Sequence, residues 1–139
     1  MAITKKTIES HLEALNIYHK KEKKGLIAYD PDAPSVEISI VLMDGGRTMR
    51  MIARSTKLQN LLKKKNRLQE KKCELFEELL RYNAKTKFGT WELSGDELRY
   101  AVEFPIEDGT VTQNQFARMF RQIDVQSKRF DKIIKTLKP

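Results

Sequence analysis

Two short alternating runs and one sharply marked helix start, all within Asn83–Leu137, constrain this chain more than any other stretch. The runs are Gly89–Leu93 and Leu98–Phe104, joined by Ser94-Gly95-Asp96-Glu97. A period of two predicts strands, and the short polar joint with its glycine predicts a hairpin. Trp91 and Leu93 share one side of the first run; Leu98, Tyr100, Val102 and Phe104 share one side of the second. Large aromatic side chains on a pleated face pack into a core. Pro105 limits pairing at the strand end, and Glu107-Asp108-Gly109 reads as a turn. The helix signal follows at Val111-Thr112-Gln113-Asn114-Gln115-Phe116. Thr112 is a good N-cap with Gln115 three residues on, a capping box, and Val111 and Phe116 are placed as a hydrophobic staple. Met119, Phe120, Ile123, Ser127, Phe130, Ile134 and Leu137 continue one stripe, which predicts a single helix to the end. A hairpin feeding a closing helix specifies a fold and names no reaction.

The preceding residues complete the layer. Ile8, Leu12 and Leu15 make one stripe on a first helix over roughly 4–15, and Asn16 suits its left-handed end. Ile17-Tyr18 starts an extended stretch, and His19–Lys24 reads as a solvated basic turn hinged at Gly25. Leu26–Tyr29 is a short apolar run stopped by Asp30-Pro31-Asp32-Ala33-Pro34. Val36, Ile38, Ile40 and Leu42 then alternate with Glu37, Ser39, Val41 and Met43. Asp44-Gly45-Gly46 supplies the positive φ of a tight hairpin, and Thr48–Arg54 returns as the third strand of a meander. From Lys57 to Tyr82 leucines recur at helical steps with no Pro or Gly between them, which predicts one long helix. The order is α-βββ-α-ββ-α, an α+β domain with helices packed on an antiparallel sheet.

The chain's 139 residues suit one domain over 1–139, and 40% hydrophobic residues provide for one core. Cys73 is the single cysteine, so there is no intrachain disulfide, which agrees with a reducing cytoplasm. The N-terminus lacks the apolar stretch of a signal peptide, and no run approaches the ~18 apolar residues of a membrane span. A formal net charge of +8 favours acidic partners: nucleic acid, an anionic surface or an acidic protein.

The order of elements, together with Asn83, Gly89-Thr90-Trp91-Glu92-Leu93, Leu98–Pro105 and the capped helix, resembles the YbjN-like bacterial proteins, which share the fold of type III secretion chaperones. Agreement in element order covers most of the chain; agreement in residues is concentrated in Asn83–Phe120. The central helix here is longer and richer in lysine than is usual for that family. The resemblance implies a cytoplasmic bacterial protein, a homodimer, and binding of other proteins.

The expected chemistry is binding. His11, His19 and Cys73 fall on different elements with no base placed beside a nucleophile, so no catalytic set is expected. One Cys and two His match no zinc spacing, and Asp30-x-Asp32 lacks the Gly and distal Glu of a calcium loop, so no metal or cofactor is expected either. No glycine-rich phosphate loop occurs. Two surfaces remain. Val41, Met43 and Ile52 form the second face of the middle hairpin, too apolar for open water, and call for cover by a helix, a second subunit or a client peptide. Lys64, Arg67, Lys71 and Lys72 fall on one side of the central helix and suit an anionic partner such as nucleic-acid phosphates. The favoured expectation is a non-enzymatic interaction module that buries a client's apolar segment in a groove between sheet and helices. The alternative is a basic nucleic-acid-associated protein.

Overall fold

A computed structural model describes residues 3–63, 67–86, 89–94, 97–106 and 109–137, and for 67–72, 94 and 137 the backbone alone. The elements in order are α1 (Lys5–Ala14), β1 (His19–Lys21), β2 (Leu26–Tyr29), β3 (Val36–Met43), β4 (Thr48–Ser55), α2 (Thr56–Lys63), α3 (Arg67–Lys85), β5 (Thr90–Ser94), β6 (Glu97–Pro105), α4 (Gln113–Ser127) and α5 (Arg129–Leu137). The six strands form one antiparallel sheet in the order β1-β2-β3-β4-β6-β5. This is the α+β layer that the sequence predicts, with one more strand.

That extra strand is β1. The His19–Lys24 stretch, expected as a turn, instead pairs its first three residues with β2, His19 opposite Ala28 and Lys21 opposite Leu26. A further bond from Tyr29 N to Tyr18 O extends the ladder. Lysines are common on an edge strand because an exposed charged edge discourages further pairing. The meander turn is as expected, with Asp44, Gly45 and Gly46 all at positive φ. Asn16 ends the first helix at φ 57°.

Alternation divides the sheet into two faces. Val36, Ile38, Ile40, Met49, Met51, Ala53, Leu98, Tyr100, Val102 and Phe104 point inward and are buried. They join Ile8 and Leu12 of α1, Leu58 and Leu62 of α2, Leu75 and Leu79 of α3, and Phe116, Phe120, Ile123, Phe130 and Ile134 of α4 and α5 in one core. Trp91 lies at its centre, with ring centroids of Tyr82, Tyr100 and Phe130 at 5.5, 5.4 and 5.1 Å. Gly89 enters β5 at φ 76°, where an added Cβ would meet Tyr100 Oη at 2.5 Å and Ala101 O at 2.7 Å.

The helical stretches divide more finely than their periodicity suggests. β4 runs directly into α2, whose first turn is capped by the buried Ser55 accepting from Leu58 N at 3.1 Å. The expected single central helix is recorded as α2 and α3, and its middle, 64–66, lies outside the described residues. Leu58 and Leu75, both buried, lie about 100° apart round a straight helix at 3.6 residues per turn, so one straight helix presents them to different sides. The closing helix starts where predicted. Thr112 Oγ1 accepts from Gln115 N at 3.2 Å, and Gln115 Oε1 accepts from Thr112 N at 2.8 Å. It then turns at Lys128 into α5. Ser127 Oγ donates back to Ile123 O at 2.7 Å, a bond of the kind that bends helices.

Candidate functional site

α4 carries Arg118, Arg121, Gln122, Val125 and Gln126 at helical steps along one side. That side meets Lys85 and Thr86 at the end of α3 and Tyr100 of β6 around a cavity of about 520 Å³. Its frame is well fixed. Thr86 Oγ1 donates to Tyr82 O at 2.7 Å, and Arg129 Nη1 donates to Thr86 Oγ1 at 3.2 Å. The Arg129 guanidinium also lies 4.6 Å from the Tyr82 ring centre, a cation–π contact. Trp91 Nε1 donates to Gln126 Oε1 at 3.1 Å, which fixes that amide and turns its NH2 away from the indole.

The cleft is electropositive. Lys85, Arg118 and Arg121 are exposed, form no ion pair with a described residue, and share the lining with no Asp or Glu. Burial pushes the Tyr100 phenol above its ordinary pKa, the nearby Arg129 charge opposing it, so at neutral pH this wall offers a neutral hydroxyl. Gln122 Oε1 is buried without a hydrogen-bond partner among the described residues. Val125 is 54% exposed at the rim. The arrangement suits a ligand that is acidic at one end and apolar at the other. Charge-assisted hydrogen bonds would hold the acid, while tyrosine, valine and arginine stems cover the apolar part. Nothing in the sequence joins Lys85, Tyr100 and α4 before the fold is known. The available signal was the spacing of Arg118, Arg121 and Val125 on the polar side of a helix read only for its apolar stripe.

The apolar face expected at Val41, Met43 and Ile52 takes a different form. Ile52 is only 7% exposed, yet it stands outside the main core. Its outward-facing neighbours are Ser39 and Ala101 across the ladder and Arg50 and Arg54 along the strand. Arg54 Nε donates to Glu97 Oε1 at 2.6 Å and Arg54 Nη1 to Ser39 Oγ at 2.8 Å. Arg99 donates to Glu92 and Glu97, and Arg50 lies 3.8 Å from Glu103. Ile52 is thus little exposed within the single chain, with Arg50 and Arg54 as its same-face neighbours along the strand. Val41 and Met43 are half-buried. Val41 lines a separate depression of about 390 Å³ with Gly25, Ile27 and Ser39.

Of the proposed lysine stripe, Lys64 lies outside the described residues, and Arg67, Lys71 and Lys72 are placed on α3 by backbone alone. His11 Nε2 lies 2.6 Å from Val111 O, and its ring stacks on Phe116. His19 Nδ1 lies 2.9 Å from Ile17 O, and the ring sits at the surface beside Glu9 and Glu13, ligand atoms within 4.8 Å. Cys73 is exposed on α3. Among the described residues no helix is long and apolar enough to cross a membrane. No family model and no curated protein matches the chain.

Proposed function

We propose that this protein is a non-enzymatic interaction module that holds an acidic, partly apolar segment of a client polypeptide in the cleft between the end of α3, β6 and α4. One observation carries the reading: a cavity of about 520 Å³ with three cationic side chains on its lining, no carboxylate among its described lining residues, and Tyr100 and Val125 on its walls. A net charge of +8 adds long-range attraction for such a segment. The groove lies between sheet and helices, the place expected for a chaperone-like binder, and the resemblance to YbjN-like proteins supports the same role in the bacterial cytoplasm. The reading moves the binding surface away from Val41, Met43 and Ile52.

The test is fluorescence anisotropy with labelled peptides that combine Asp or Glu with Leu or Phe, against neutral peptides of the same apolar content. The acidic peptides are expected to bind, more weakly as salt rises, and to be lost when Arg118→Glu and Arg121→Glu are combined. Both positions are exposed, so the doubly changed chain should keep its fold, which circular dichroism verifies. Equal affinity for neutral peptides, or binding indifferent to the double change, refutes the cleft. A labelled single-stranded oligonucleotide run beside the peptides tests the alternative. Its tighter binding, lost on Lys71→Glu with Lys72→Glu, would replace the client reading with the nucleic-acid one.

A further inference from the structure

The structure brings Asp124 of α4 to Asp30 and Asp32, two carboxylates that are near neighbours in the sequence and lie far from it. Asp30 directly follows β2, Asp32 comes next in the proline-bounded turn, and Asp124 lies in the last turn of α4. One oxygen from each lies within 4.8 Å of the other two. The turn is internally bonded: Asp30 Oδ1 accepts from Asp32 N at 2.9 Å, Asp30 N donates to Val36 O, and Ala33 N donates to Asp30 O.

Acidic clusters on a wet surface need no ligand. This one differs because Asp30 is 1% exposed and its second oxygen, Oδ2, is buried with no hydrogen-bond partner among the described residues. Asp124 Oδ1 is in the same condition. The like charges of Asp124 and Asp32 act on Asp30, and no described basic side chain forms an ion pair with any of the three. A buried carboxylate is costly unless a donor or a cation compensates it, and two facing each other double the demand. Among the described residues the cluster has acceptors and no ion-pairing positive charge.

We propose that Asp30, Asp32 and Asp124 form a site for one hard divalent cation of calcium's size. Carboxylate oxygens are the ligands such ions take, and metal–oxygen distances of about 2.3–2.6 Å place ligand oxygens at most ~5 Å apart. The observed spacing falls within that span without rearrangement. Magnesium, at about 2.1 Å, tolerates ligand oxygens no more than ~4.2 Å apart, a narrower span. Asp32 is exposed, so water reaches the site and can complete the coordination shell. The bound ion ties the β2–β3 turn to α4. The site shares no residue with the lining of the client cleft.

The experiment uses the full chain, freed of metal with EDTA and then dialysed into buffer at pH 8. Calorimetric titration with calcium chloride and with magnesium chloride is read together with the thermal midpoint in each salt and in EDTA. One calcium per chain is expected, bound more tightly than magnesium and raising the midpoint above its EDTA value. Asp124→Asn and Asp32→Asn should each abolish the heat and the rise. Asp124→Asn removes one of two repelling carboxylates, so its midpoint in EDTA should equal or exceed that of the unsubstituted chain, which shows that the variant folds. No heat and no shift with either ion at millimolar concentration overturns the site and leaves two carboxyls sharing a proton. Tighter magnesium binding refutes the size assignment, and binding that survives Asp124→Asn places the ion elsewhere.

Discussion

Replacing Asn83 by alanine tests how the outer edge of the sheet is held. β5 is an edge strand with one partner, β6. At Trp91 its free side is occupied by Asn83 from α3: Trp91 N donates to Asn83 Oδ1 at 2.7 Å, and Asn83 Nδ2 donates to Trp91 O at 3.0 Å. One amide thus serves both backbone groups as a neighbouring strand would. Each such bond contributes about 0.5–1.5 kcal/mol net, so both together are worth roughly 2 kcal/mol. Alanine regains about 0.5 kcal/mol through its better helix propensity. The expected loss is therefore on the order of 1.5 kcal/mol, which for a chain of this length lowers the midpoint by roughly 5 °C. Urea unfolding followed by circular dichroism measures the loss, and amide exchange at Trp91 locates it. Asn83→Asp keeps the acceptor and loses the donor, so it should fall between alanine and the original residue. An Asn83→Ala chain as stable as the original, with Trp91 exchange unchanged, refutes the idea that this side chain carries the edge.

Thr112→Ala removes one half of a reciprocal capping box and should cost about 1 kcal/mol in the same urea assay, with Ser substantially restoring it; an unchanged midpoint refutes the cap's role. A pH series in EDTA addresses the acidic pair. Burial, and then the Asp124 carboxyl facing it, pushes Asp30 up to about 7 from 3.8. Between those values the native chain holds a proton that the unfolded chain has released. This contribution to stability is fully present below about 3.8 and is lost as pH rises through about 7. Asp124→Asn should flatten that decline relative to the original chain, and a difference between the two that does not vary from pH 4 to 8 defeats the assignment.

The legible parts of the fold were those carried by local rules. The hairpin of β5 and β6, the Asp44-Gly45-Gly46 turn and the capping box at Thr112 each rest on neighbouring residues, and each is present. β1 was missed because three residues rich in lysine carry no usable period and become a strand only by pairing with Leu26–Ala28. The turn at Lys128 interrupts an apolar stripe that continues on both sides of it, so the stripe does not reveal it. Ile52 is buried as its residue type announces, yet it stands outside the main core, between Arg50 and Arg54 on the outward side of the sheet, which its type alone does not tell. The cleft and the Asp30–Asp124 contact are tertiary juxtapositions. Asp30-x-Asp32 failed as a calcium loop because its third carboxylate arrives from α4.

The outward face of the sheet also bears on where the molecule's charge lies. In outward register its strands carry Lys20, Arg50, Arg54 and Arg99, matched one for one by Glu37, Glu92, Glu97 and Glu103. The face therefore carries no net charge, and the chain's surplus of +8 resides in the helical layer and the loops. Long-range attraction for an acidic partner therefore comes from outside that face, and Arg118 and Arg121 on α4 contribute to it. Added salt should slow the encounter by screening this attraction, even where the final contacts are unchanged.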